Sequence, residues 1–199
     1  MKMYLKAILI NLALIIVGNL IYIYFDKSSV GSMFLWLFVS IAYCGISSVI
    51  ITIIAFLLPD KFFSPYRTRF KVFSFENSLY KKMKVKSWKD KVPEFGSLSG
   101  FSKGNLSQPN NSEYIYKFLT ETCKAEFLHF YSALAGIINF FIIPSQYVLS
   151  IALPIFLLNF MLHMMPVLIQ RFLRPKFLRM YERLQNNKTF EALNISQMN

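Results

Sequence analysis

The chain is poor in the residues from which soluble catalytic domains and secreted modules are built. Its 199 residues hold 10 acidic side chains against 22 basic ones, with two cysteines, two histidines and seven glycines. Two cysteines make neither a disulfide framework nor a metal-ligand spacing. Cys44 lies in an apolar run and Cys123 in the basic half of the chain, so both read as packing residues. The Gly-x-Ser-x-Gly string Gly100-Phe-Ser-Lys-Gly104 falls in a polar stretch that reads as a loop, not on the strand-to-helix turn that a nucleophile elbow of a covalent serine mechanism needs. Acidic residues are absent from every long apolar run. Carboxylate-rich metal centres inside a helical bundle are thereby excluded, since they need several inward-facing Glu residues. There is no internal repeat.

What is present is segregated. Hydrophobic residues make up 55% of the chain, and they gather in runs at about residues 7–25, 33–58, 127–143 and 147–169. Most of the charge sits between the second run and the third, with 13 Lys or Arg against six Asp or Glu over residues 60–124. A bilayer demands this arrangement and a soluble core does not. The expected fold is therefore an all-α integral membrane protein of about four transmembrane helices, with a basic cytosolic loop and a basic C-terminal tail. Its divisions are an N-terminal helix pair (1–58), the loop region (59–126), a C-terminal helix pair or hairpin (127–170) and the tail (171–199).

The first run looks like a signal peptide. However, it has the length of a span and no small-x-small cleavage site follows it, so it reads as a retained helix. Asn11 and Asn19 within it are expected to bond to neighbouring helices. Pro59 stops the second run, Pro144 breaks the apolar stretch that follows the loop, and residues 96–112 read as a flexible loop rich in Gly, Ser and Asn. Pro154 and Pro166 in the last run call for a kink or for neighbours that satisfy the freed backbone groups. The net charge of +12 is expected to mark the cytoplasmic side and to meet anionic lipid headgroups, with no nucleic-acid partner. Four crossings, with both termini and the large loop in the cytoplasm of a cell membrane, satisfy the charge distribution.

The stretch from Glu121 to His129 runs out of the charged region into the third apolar run. As a helix it stacks Thr122, Glu126 and His129 on one stripe. Ionisable groups at that depth are costly and usually face a protein interior or a water-filled cavity. The bland reading of Glu126 and His129 is an interfacial pair that fixes helix orientation; the sharper one is chemistry. Glu-x-x-His also occurs in helical di-iron bundles, but one motif without further carboxylates points to no metal. His163, the second histidine, lies in the last apolar run, either bonded to Asn159 or a carbonyl or taking part in catalysis.

Five phrases follow one another in a familiar order. They are Leu58-Pro-Asp-Lys-Phe-Phe63, Phe70-Lys-Val-Phe-Ser-Phe-Glu76, Ser87-Trp-Lys-Asp-Lys-Val-Pro93, Glu121-Thr-x-x-Ala-Glu126-x-x-His129 and Pro166-x-x-x-Gln170-Arg-Phe-x-Arg174-Pro175. In this order the chain resembles the glycosyl-4,4'-diaponeurosporenoate acyltransferases, membrane enzymes that complete the carotenoid staphyloxanthin. The resemblance covers about residues 58–184. It implies transfer of a fatty acyl group to the sugar 6-hydroxyl of a glycosylated carotenoid or related glycolipid. The partners implied are that lipid acceptor and an acyl carrier, either CoA or a carrier protein. The thioester is a co-substrate and no cofactor is expected.

Such a transfer needs a base for the hydroxyl proton, a group that orients the base, and donors for the oxyanion. His129 is the candidate base and Glu126 the candidate orienter, as in the logic of a catalytic triad. Direct attack on the thioester requires no enzyme nucleophile. Gln170, Arg171 and Arg174 follow the last span. They either snorkel to headgroups or bind the phosphates of an acyl carrier, which suits a guanidinium fork. Trp88 and Lys89 are candidate donor-site residues or an interfacial anchor, and Glu121 belongs to the same motif as Glu126. The rival function is a non-catalytic membrane protein that binds anionic lipid or a partner through its basic loop.

Overall fold

The computed structural model describes residues 2–26, 29–92 and 106–198, and these are helical with no strand among them. The long helices are α1 (Lys2–Asp26), α2 (Val30–Leu57), α5 (Ser112–Ala135) and α7 (Leu153–Met198); the short ones are α3 (Ser74–Lys82), α4 (Val85–Trp88) and α6 (Asn139–Ile142). Most of the loop expected over residues 96–112 lies outside the described residues.

Helix boundaries follow local chemistry. Ser29 caps α2 by accepting the Ser32 N–H at 3.1 Å, and Asn111 caps α5 by accepting the N–H groups of Glu113 and Tyr114 at 3.0 and 3.3 Å. Both side chains satisfy donors that the helix itself cannot. At its other end α2 stops one residue short of Leu58, which is extended because the following proline disfavours helical geometry there.

Three helical stretches among the described residues are long and apolar enough to cross a membrane: Val30–Leu57, Ser112–Ile142 and Ser145–Asn187; Ile8–Tyr24 is a shorter apolar helix. Burial reinforces the composition. Phe34, Leu35, Phe38, Ile46, Ile53 and Phe56 on α2 are all exposed. A helix apolar on every side belongs in a large core or in a membrane, and this chain supplies no core around it.

The chain divides into two compact units, Met1–Leu58 with Phe127–Val167 and Pro59–Glu126 with Leu168–Asn199. In the first unit Ile15, Met33, Leu37, Ile143, Tyr147, Ile151 and Ile155 form the core. Polar side chains cross-link it. Asn19 donates to the carbonyls of Ile15 at 2.7 Å and Ser150 at 2.9 Å. Ser150 is four residues before Pro154, whose ring nitrogen has no N–H to return to that carbonyl. Asn19 therefore takes over part of what the proline withholds, in the bundle-packing role its position implied. Tyr43 donates to the Ala135 carbonyl at 3.1 Å, and Asn139 donates to the Ser40 hydroxyl. A turn of π-helix, Val148–Ala152, leads into α7, and α7 continues through both Pro166 and Pro175.

The core of the second unit is aromatic and aliphatic: Ile115, Phe118 and Leu119 of α5 meet Phe177 of α7, with Leu173 and Tyr181 packed beside them. Phe118 and Phe177 meet edge to face with centroids 4.8 Å apart.

Gly136 provides a test of packing in the first unit. A Cβ at this position would lie 2.8 Å from Asn159 Nδ2 and 3.3 Å from a Phe156 ring carbon, whereas at Gly18 and Gly45 it would meet nothing within 4 Å. Gly136→Ala is expected to push Asn159 from the carbonyl it bonds and to cost about 1–3 kcal/mol, the range for overpacking. Gly18→Ala and Gly45→Ala should be neutral or slightly stabilising, since each adds helix propensity without a clash. Thermal unfolding of the three variants in detergent measures the difference.

Candidate active site

In the first unit α5 and α7 bring the two histidines together. His129 Nδ1 and His163 Nδ1 are 3.0 Å apart, with ring centroids at 5.3 Å, and both rings are half-buried. Two neutral imidazoles meeting through the same nitrogen must be opposite tautomers, because one Nδ1 has to carry the proton and the other the lone pair. The remaining nitrogens are then also opposite: one Nε2 is a base and the other a donor. One turn away the Asn159 amide donates to the Ser132 carbonyl at 3.0 Å, and Ser132 is 1% exposed with a buried hydroxyl that has no partner. The signal for this pairing was in the numbering. Residues 129 and 163 are equidistant from residue 146, at the break between the two apolar runs, so an antiparallel hairpin places them at one depth.

The second unit holds a different cluster. Arg171 grips Glu76 with two donors, Nε to Oε2 at 2.9 Å and Nη2 to Oε1 at 2.5 Å, and reaches Glu126 Oε1 through Nη1 at 2.6 Å. Its Nη2 also donates to the Lys71 carbonyl at 2.9 Å. Arg174, 1% exposed, pairs with Glu126 Oε2 at 2.5 Å and donates to the Phe70 carbonyl at 2.9 Å. The Tyr80 hydroxyl donates to Glu76, and the Phe73 N–H donates to Glu76 Oε1 at 2.9 Å at the start of α3. The cluster thus pairs two cations with two carboxylates.

This corrects the expected partnership of Glu126 with His129. The carboxylate is held by two guanidinium groups and the imidazole by a second imidazole. Charge decides the choice: a charge-assisted bond to a guanidinium is roughly twice as strong as a neutral one, and a buried carboxylate without a cation is heavily penalised. The same commitment occupies the guanidinium donors that were candidates for phosphate binding, Arg171 above all.

The other candidates are dispersed over the second unit. Glu121 pairs with Lys124 at 3.3 Å, and Lys124 with Asp60 at 3.2 Å. The Trp88 indole N–H donates to the Met83 carbonyl at 2.9 Å, which closes the turn between α3 and α4, and Lys89 pairs with Asp90 at 2.6 Å. Gln170 has a buried carbonyl oxygen with no partner. Sequence reasoning missed Glu76 and Tyr80, which enter the arginine cluster across 95 and 91 residues from Arg171; Phe172 stacks its edge on Tyr80 with centroids 5.6 Å apart.

Protonation follows the geometry. Burial alone pushes the Glu76 carboxyl up, but the bonds from Arg171, the Phe73 N–H and Tyr80 outweigh it and hold the group below its ordinary value. Burial, then the neighbouring Glu76 carboxylate, raises the Tyr80 phenol. A depressed carboxyl stabilises the folded state in full above its unfolded value, about 4.3 for Glu, and that stability disappears as pH falls through the lower folded value. Acid unfolding of the wild type should therefore extend below the ordinary carboxylate range. Glu76→Gln should weaken this pH dependence.

Removing one charge from the cluster should cost far more than removing a pair. Arg174→Ala is expected to destabilise by about 3–5 kcal/mol, because two buried carboxylates are then left to the single guanidinium of Arg171 and one charge is uncompensated. The double variant Glu126→Leu, Arg174→Met should recover most of that loss, because Arg171 keeps Glu76. Chemical denaturation in mild detergent reads both.

The comparisons with known proteins agree with the order of the sequence phrases. No curated protein and no solved structure matches the chain. The family described as CrtO, glycosyl-4,4'-diaponeurosporenoate acyltransferase, matches residues 59–183, more than half of the chain, and takes in α3 to α6 and α7 as far as Arg183. The chain therefore belongs to the glycosyl-4,4'-diaponeurosporenoate acyltransferase family.

Proposed function

We propose that the protein is a membrane-bound O-acyltransferase that moves a fatty acyl group from a thioester to the sugar 6-hydroxyl of a glycosylated carotenoid or a related glycolipid. Family membership supports the reaction class. The observation that carries the site is the His129–His163 contact at 3.0 Å within the uncharged stretches of α5 and α7. In this reading His129 presents Nε2 as the general base, and His163 accepts its Nδ1–H and so fixes the productive tautomer. A neutral imidazole takes the orienting role that Glu126 was expected to play. Within an apolar helix pair this suits the surroundings, because a neutral hydrogen-bonded partner avoids the desolvation cost of an ion.

The hydroxyl oxygen attacks the thioester carbonyl as its proton moves to His129, and the thiol leaves with no enzyme-bound intermediate. Correct positioning and proton removal supply the rate enhancement, of which a positioned base contributes about 10²–10⁴-fold. Lys81, Lys82, Lys84 and Lys86 are exposed around α3 and α4, a cationic face suited to CoA phosphates, an acidic carrier protein or anionic headgroups. Under the positive-inside rule this face and both termini lie in the cytoplasm, with the protein in the cell membrane.

Lipid mass spectrometry of cells that make the glycosylated carotenoid and express either the wild type or His129→Gln tests the reading. Wild-type cells should gain a species heavier by one fatty-acyl group, and the variant, at equal protein level, should lose about 10²–10⁴-fold of that activity. Acylation that persists in the variant removes His129 from the site. Carotenoid acylation missing from both strains points to another acceptor, and a lipidome with no wild-type-dependent acyl ester favours the non-catalytic membrane protein that binds lipid or a partner through its basic surface.

A further inference from the structure

We infer that His163 is the general acid of the transfer, and that the two histidines pass a proton from the acceptor hydroxyl to the leaving thiol through their shared Nδ1 contact. The inference rests on the acyl-transfer reading above and extends it. It starts from the pairing of the rings: the contact at 3.0 Å joins Nδ1 to Nδ1, so the two Nε2 atoms have opposite proton occupancy. With His129 as base, its Nδ1 holds the shared proton, His163 Nδ1 holds the lone pair, and His163 Nε2 carries a proton available for donation. Both rings are half-buried rather than sealed in the core.

The proton balance closes. The acceptor O–H gives its proton to His129 Nε2 as the oxygen–acyl bond forms. His129 Nδ1 releases its proton to His163 Nδ1, and His163 Nε2 releases its own to the sulfur as the carbon–sulfur bond breaks. The products are an ester and a neutral thiol. Each imidazole ends neutral in the opposite tautomer, and exchange with water returns the pair to its starting state. At no stage must an imidazolium or a free thiolate persist among apolar side chains, where a lone charge is costly. A carboxylate orienter would favour an imidazolium instead, and both carboxylates of the arginine cluster are engaged by guanidinium groups.

Leaving-group basicity separates an acid from a mere orienter. The full chain in phospholipid vesicles, with glycosylated carotenoid as acceptor, is assayed with two donors of one fatty acid: the pantetheine thioester and the S-phenyl thioester. An alkyl thiolate gains from protonation as it leaves, whereas a thiophenolate leaves readily without it. His163→Asn keeps a hydrogen-bond acceptor, the amide Oδ1, near the Nδ1 position and removes the Nε2 donor. The variant should lose about 10²-fold with the pantetheine donor, within the range for general acid catalysis, and only a few-fold with the phenyl donor. His129→Gln should be impaired with both. Turnover of the phenyl donor also shows that the His163 variant is folded.

An equal loss with both donors, or none with either, overturns the role of His163 as acid while leaving the acyltransferase reading intact. Wild-type protein that transfers from neither donor overturns the acyltransferase reading, and this inference with it.

Discussion

Apolar surroundings offer polar groups no substitute for water, so each one must find a partner inside the protein or carry an energetic penalty. This constraint accounts for the specific contacts of both units. Asn19 serves the carbonyl that Pro154 leaves open, Asn159 bonds the Ser132 carbonyl, and the two histidines bond each other. In the second unit the same rule assembles a neutral cluster of two arginines and two glutamates, supported by Tyr80 and two backbone carbonyls. Apolar packing brings the helices together without fixing their register. The polar pairs fix it, because a one-residue slip would separate every donor from its acceptor.

The division of labour between the ionisable groups follows from charge. Glu126 and His129 lie one turn apart on α5, which made them natural partners on sequence grounds. Two guanidinium groups compete for that carboxylate and win, since their bonds are ionic and nearly dry. The outcome leaves the imidazole pair electrically neutral. In the proposed acyl transfer a neutral pair would shuttle a proton without building charge beside lipid. Among the described residues the buried charged side chains, Glu76, Glu126 and Arg174, all belong to the arginine cluster, which holds the unit together.

Legibility in the sequence varied with the range of the interaction. The helical class, the break at Pro59, the interruption near Pro144 and the partnered Asn19 all depend on local patterns, and all were readable. His163 was readable in principle: its distance from the hairpin turn equals that of His129, but only a topology already in mind makes that comparison meaningful. Glu76 was legible only as a member of the second family phrase, with Arg171 in the fifth. Its bonds to Arg171 span 95 residues, and no local pattern in α3 announces them. Pro166 lies inside α7 without ending it, within the span that the apolar run over residues 147–169 implied.

The most direct test of the account is the protonation pattern of the histidine pair. The chain has two histidines, so protein with nitrogen-labelled histidine and no polyhistidine tag gives a magnetic resonance spectrum of two rings. The account predicts one ring protonated at Nδ1 and the other at Nε2, with the Nδ1 resonance of the remaining ring shifted when its partner is replaced. Two rings in the same tautomer, each indifferent to loss of the other, would contradict it.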